Sequence, residues 1–125
     1  MTRLSAIRQI SVNARDLPRA IAFYRDTLGV RHLFDAPPQM SFFDCGGIRL
    51  LVGVAEKAEF DHPSSILYFA VDDIHEAHRD LKARGVKFRD DPHLVARLAD
   101  REIWLCFFED SEKNVLALSC EIAAS

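Results

Sequence analysis

The strongest constraint on this chain is that it spells nearly the same pattern twice. Asp16 and Asp73 stand 57 residues apart (73 − 16), and Leu17 with Ile74 and Ala20 with Ala77 keep the same offset. Each Asp follows a stretch that alternates apolar and polar side chains, as a half-buried strand does, and precedes apolar residues at helical spacing. In the first copy residues 5–12 read as the strand. Leu17, Ala20, Ile21, Phe23, Tyr24 and Leu28 mark the helix, with Pro18 in its first turn and Gly29 at its end. Residues 30–34, 40–44 and 48–54 follow as a three-stranded meander, the last two joined through Cys45-Gly46-Gly47. The second copy places a strand at 64–71, a helix carrying Ile74, Ala77 and Leu81 up to Gly85, and three or four further strands from the segments 86–88, 94–98, 103–108 and 115–119. Phe43-Asp44 is echoed by Phe108-Glu109, although the intervening loops differ in length.

Each copy should present an apolar sheet face that it cannot cover alone, so the two are expected to pair as one α+β domain over residues 1–125. The expected boundaries are about 4–55 for the first module, about 56–63 for a linker and about 64–122 for the second. A chain of 125 residues with 49% hydrophobic side chains can build a core without staples. The 16 basic and 19 acidic residues give a net charge of −3 with the basic ones dispersed, which points away from nucleic acid. No apolar run approaches the roughly 20 residues of a membrane span, and the first residues are too polar for a signal segment, so a cytoplasmic location is expected. Cys45, Cys106 and Cys120 form an odd set without C-x-x-C spacing and are expected to be buried small groups.

The pieces Asp16-Leu17-Pro18-Arg19-Ala20, Phe23-Tyr24-Arg25-Asp26-Thr27-Leu28-Gly29 and Phe43-Asp44-Cys45-Gly46-Gly47-Ile48-Arg49-Leu50 resemble the vicinal oxygen chelate superfamily. This is the group of glyoxalases, bleomycin-resistance proteins and extradiol dioxygenases. Val71-Asp72-Asp73, Ala83-Arg84-Gly85-Val86 and the run from Phe108 to Leu118 are similar to the same family. The resemblance covers nearly the whole chain. It implies two βαβββ modules forming an open, cupped, eight-stranded mixed sheet, usually as a homodimer. Its metal enzymes hold a divalent ion by His, Gln or Glu side chains from the first and last strands of the modules.

In this chain those four places fall on Gln9, Leu51, Ile66 and Ala117. Three of them have no donor atom, and a one-residue slip brings in only Leu50 or Val52 and Leu116 or Leu118 at the carboxylate strands. A lone neutral amide oxygen does not hold a divalent cation against water, so neither a metal nor another cofactor is expected.

Strand parity under the resemblance gives the cup lining: Gln9, Ser11, Arg49, Leu51, Ile66, Tyr68 and Ala117, with the aromatics Phe42, Phe43, Trp104 and Phe107 or Phe108 as flat surfaces or as core. His93 is the one candidate for proton transfer. Alternation sets it on one strand face with Val95 and Arg97, which is either the cup or the convex side. His75 and His78 are expected on a solvated helix face.

Three functions follow as expectations. The first is a metal-independent protein that binds an apolar or aromatic small molecule. The second is a glyoxalase-type lyase, isomerase or dioxygenase with an unconventional site. The third is an interaction or regulatory module whose dimer is itself the function.

Overall fold

A computed structural model of the chain describes residues 1–123. The chain divides between Ser64 and Ser65 into two compact units. The stretch expected as a linker belongs to the first of them. It contains a single 3-10 turn, Ala58–Phe60, and Asn13 ties it down: its side-chain amide donates to the carbonyls of Phe60 and His62, both at 2.9 Å, while its backbone N–H donates to Ser64 Oγ at 3.2 Å.

The first unit runs β1 (Gln9–Asn13), α1 (Leu17–Ala22), β2 (Arg31–Ala36), β3 (Met40–Cys45) and β4 (Ile48–Gly53). Its sheet has the order β1-β4-β3-β2, with β1 parallel to β4 and the other pairs antiparallel. β1 starts at Gln9 rather than Ser5 because Gln9, opposite Arg49, is the first residue with a ladder partner. The β3–β4 turn is two residues long and holds Gly46 at φ 61° and Gly47 at φ 95°. That left-handed pair is the tight hairpin geometry side chains resist, which is why Gly-Gly stands there.

The second unit runs β5 (Leu67–Ala70), α2 (Ile74–Ala83), β6 (Lys87–Phe88), β7 (His93–Arg97), β8 (Arg101–Glu109) and β9 (Val115–Ala123). Its order is β5-β9-β8-β6, with β5 parallel to β9 and β7 also paired to β8. The expected eight strands become nine because one edge strand is broken. Phe88 sits opposite Phe108 and His93 opposite Leu105, so β6 and β7 lie along the same partner. Between them Arg89 N–H donates to the Phe107 carbonyl at 2.8 Å, and Asp90 Oδ1 takes the Phe107 N–H at 2.7 Å in place of a backbone carbonyl.

The registers prove the repeat. Ser11 lies opposite Leu51 and Phe42 opposite Leu51; Tyr68 lies opposite Ala117 and Phe107 opposite Ala117. Phe43 with Leu50 and Phe108 with Leu116 are therefore equivalent pairs. The copies differ where residues were added. From Asp16 to Gly29 there is one residue more than from Asp73 to Gly85, and the first helix absorbs it by continuing as a π-turn over Phe23–Thr27. From Gly85 to Phe108 the second copy is longer than the first from Gly29 to Phe43, and this surplus carries the broken edge.

Each helix covers one face of its own sheet. Under α1 lie Val12, Phe43, Leu50 and Val52, all at most 1% exposed, with Tyr24 fully buried and its ring 5.9 Å from that of Phe43. Under α2 lie Cys106, Phe108, Leu116, Leu118 and Cys120 with Ile74. Each such large side chain contributes about 1.5–3 kcal/mol by leaving water. Both helices start on the predicted aspartate: Asp16 Oδ1 accepts from Arg19 N–H at 3.0 Å and Asp73 Oδ1 from Glu76 N–H at 3.1 Å.

Two expectations change here. His78 is not solvated: it is 9% exposed, its ring lies 4.4 Å from that of Phe88, and its Nε2 has no hydrogen-bond partner among the described residues. The His78 ring is covered because Phe88 of the short β6 packs against it. His75 stays exposed, with its ring 5.4 Å from that of Trp104. Of the cysteines, Cys106 and Cys120 are buried, whereas Cys45, beside the Gly-Gly turn, is half-buried. Burial pushes the Cys106 thiol up to about 11, which leaves it a neutral, inert group.

Candidate functional site

The face of each sheet away from its helix carries most of the residues selected from the sequence. In the first unit, ladder partners form rows across the strands. One row is apolar: Phe34, Phe42 and Leu51, ending at Ser11. The next row is polar: Arg31, Asp44, Arg49 and Gln9. The rings of Phe34 and Phe42 stack at 4.6 Å with 24° between their planes, and the Arg49 guanidinium lies over Phe42, 5.5 Å from its centroid. Arg49 Nε donates to Gln9 Oε1 at 2.7 Å. Asp44 stands directly across the ladder from Arg49, yet its Oδ1 accepts the Gly47 N–H at 3.1 Å and forms no ion pair with the guanidinium. Gln9, Ser11, Arg49 and Leu51 therefore share one face, as strand parity predicts.

Phe43 does not join them. Its side chain is on the helix side, fully buried, packed against Tyr24 and 5.3 Å from the His32 ring. Its neighbour Phe42 holds the place on the open face. The sequence offers both and cannot choose between adjacent residues until the register is known.

In the second unit the equivalent apolar row is Phe107, Ala117 and Tyr68, with the Tyr68 and Phe107 rings 6.1 Å apart. Ile66, one residue before β5, is exposed, and Ala117 is fully covered. His93 sits opposite Leu105 on this same face, its ring 6.4 Å from that of Phe107. Its Nδ1 is 3.1 Å from the Asp91 carbonyl and 3.4 Å from Asp90 Oδ2. Both neighbours are acceptors, so the Nδ1 proton is fixed there and the neutral ring keeps its lone pair on Nε2.

Trp104 and Arg97 do not reach this face. Trp104 pairs with the buried Cys120, lies beside His75 of α2, and donates from Nε1 to Glu102 Oε1 at 3.2 Å. Arg97 is turned over by a bulge. The register slips between Leu94 and Ala96, so Val95 is an extra residue and Arg97 falls opposite Glu102, to which its Nε donates at 3.1 Å. A matching bulge at Leu33 in β2 brings Phe34 opposite Phe42. Simple alternation misses both bulges.

Sequence reasoning also missed a polar chain on the helix side of the first unit. Ser41 Oγ donates to Asp35 Oδ1 at 2.7 Å, and His32 Nε2 lies 2.8 Å from the same oxygen. These bonds hold the Asp35 carboxyl below its ordinary range, His32 contributing most. The serine is fully buried and bonded to the carboxylate rather than to the imidazole, so the trio is not set up as an activated nucleophile. Two surface hollows, of about 350 Å³ beside the start of α2 and about 310 Å³ beside the β2–β3 turn, are lined by none of the candidate ligand-binding residues.

The four residues that the resemblance aligns with metal ligands, Gln9, Leu51, Ile66 and Ala117, do not have the chemistry to hold one. Leu51, Ile66 and Ala117 bring hydrocarbon, and the single donor, Gln9 Oε1, is already engaged by a guanidinium that would repel a second cation. Among the described residues no three His, Cys, Asp or Glu side chains cluster as a metal site elsewhere. No helix is long and apolar enough to cross a membrane.

Residues 6–118 match the family model described as the Glyoxalase/Bleomycin resistance protein/Dioxygenase superfamily. The uncharacterized protein YraH of Bacillus subtilis (strain 168) is 25% identical over 126 residues, covering 88% of this chain and 94% of that protein. Among solved structures, lactoylglutathione lyase from Agrobacterium tumefaciens superposes with a TM-score of 0.68 at 24% identity, over 94% of this chain and 95% of that one. A mutant of the fosfomycin resistance protein FosX from Listeria monocytogenes, complexed with Mn(II) and a dihydroxypropylphosphonic acid, gives 0.69 at 16% identity, over 93% and 90%. At these identities the structural likeness speaks to the fold alone.

Proposed function

The chain belongs to the Glyoxalase/Bleomycin resistance protein/Dioxygenase superfamily, and from that premise we propose that it is a metal-independent small-molecule binding protein. Its ligand is apolar or aromatic and rests on the open sheet faces, with the full site completed in a homodimer. The observation that carries this reading is the Gln9–Arg49 bond of 2.7 Å. The only donor left at the family's ligand places serves a cation of the protein itself, and around it Phe34, Phe42 and Leu51 form an apolar platform suited to a flat hydrophobic body.

A second reading, a lyase, isomerase or dioxygenase with an unconventional site, has one observation in its favour. The tethered ring of His93 presents Nε2 as a base on the same face as Tyr68 and Phe107. A thermal-shift screen of aromatic and amphipathic compounds separates the two, run once in chelator and once with added Ni(II), Mn(II) or Zn(II). The binding reading expects the same compounds to raise the melting temperature equally in both. Hits that exist only with metal, or turnover that appears with it, would overturn it.

A further inference from the structure

Resting on the reading of the open face as a metal-free ligand site, we propose that the first unit selects an aromatic carboxylate, with Arg49 as the residue that determines specificity. Phe34, 48% exposed, stacks at 4.6 Å on Phe42, which is itself only 8% exposed, and so offers a supported ring that holds a planar ligand by dispersion and ring-on-ring contact but does not distinguish a neutral from a charged one.

Arg49 supplies the distinction. Only its Nε is used, by Gln9. That bond holds the guanidinium beside Phe42, 5.5 Å from its ring centroid, and leaves its outer N–H groups uncommitted at the edge of the apolar row. Among the described residues the group forms no ion pair: Asp44, directly across the ladder, accepts the Gly47 N–H through Oδ1 and makes none with the guanidinium, and the Phe34, Phe42, Leu51, Ser11 row itself holds no Glu or Asp. A half-buried, pre-oriented, unpaired guanidinium beside an aromatic platform calls for an anion that is planar and attached to a ring, since two parallel N–H groups match the two oxygens of a carboxylate. Ser11 Oγ, at the far end of the row, is an additional polar group for a ring substituent.

The second unit lacks this device. Val115 and the residue position of Ile66 stand where Arg49 and Gln9 stand in the first, so the preference for charge has one source.

The test is calorimetric titration, in chelator, with 2-naphthoate and its uncharged isostere 2-naphthamide, on the native protein and on Arg49→Gln and Arg49→Lys. Native protein is expected to bind naphthoate about tenfold or more tightly than naphthamide, because a charge-assisted pair is made with only one of them. Arg49→Gln should cost naphthoate at least several-fold more affinity than naphthamide and so close the gap between the two probes, with a native circular-dichroism spectrum and cooperative melting showing that the variant is folded. Arg49→Lys should recover part of the difference. Equal binding of the two probes to native protein, or an equal loss of both in Arg49→Gln, would overturn the assignment while leaving metal-free binding intact. Binding of either probe only when a divalent metal is restored would instead remove the reading on which it rests. No binding of either probe up to its solubility would overturn the carboxylate assignment as well.

Discussion

The two units use one scaffold and put different chemistry on it. On the helix side they agree: Phe43 and Phe108 are equivalent, both at most 1% exposed, as are Leu50 and Leu116. On the open side they diverge. The first unit sets Gln9 and Arg49 next to Phe42 and Leu51, whereas the second sets Ile66 and Val115 next to Phe107 and Ala117. Packing against a helix tolerates few alternatives, because a changed volume is felt at once in a dense core. The open face carries no such demand and is where the copies specialise. The lesson is that the repeat encodes the fold, and departures from it set the chemistry of the open faces.

The largest expected effects break or keep the symmetry of the helix side. Phe43→Ala and Phe108→Ala should each cost about 3–5 kcal/mol in urea denaturation, since each empties a closed site. Phe42→Ala and Phe107→Ala should cost clearly less, because those rings border the open face. Equal costs for Phe42 and Phe43 would break the assignment of faces. Next come the caps. Asp16→Ala and Asp73→Ala each remove a side-chain bond to a helix N–H, and each should cost about 1 kcal/mol. A cap that matters in one unit alone would show that the helices are not equivalent in energy as they are in register.

The smallest effect sharpens an asymmetry. Hydrogen bonds from His32 and Ser41 keep the folded pKa of Asp35 below its unfolded value. The stabilisation is therefore present above the ordinary carboxylate pKa and is lost as pH falls through the lower folded value. The side chain is 58% exposed, so the contribution is a few tenths of a kcal/mol, roughly that of a surface pair. Asp35→Asn should narrow the difference in stability between about pH 7 and about pH 3 by that amount. In the second unit Cys106 takes the place of Ser41, so the hydroxyl that supports Asp35 has no counterpart there.

Much of this molecule is legible in its sequence. Both capping aspartates and both helix-ending glycines follow from periodicity and the 57-residue offset, and the faces of Gln9, Ser11, Arg49, Leu51, Tyr68 and Ala117 from strand parity under the family resemblance. What was illegible has a common cause, residues that interrupt a period. The extra residues at Leu33 and Val95 shift everything beyond them by one face, which separates Arg97 from His93. The break over residues 89–92 turns one strand into two, since Asp90 satisfies Phe107 by a side chain that no strand pattern anticipates. Trp104 looked like a ligand surface because aromatic character says nothing of facing. Hydrogen-bond partners such as Gln9 for Arg49, forty positions apart in the chain, emerge only once β1 and β4 are aligned.

The central claim concerns what occupies the family's ligand places, and metal analysis reaches it directly. Purified protein would be loaded with excess Ni(II), Mn(II) and Zn(II) in turn, dialysed, and measured by elemental mass spectrometry beside the Gln9→Ala variant. The expected result is far less than one ion per chain, the same in both proteins. Retention of one ion per chain by the native protein, lost on Gln9→Ala, would contradict the account.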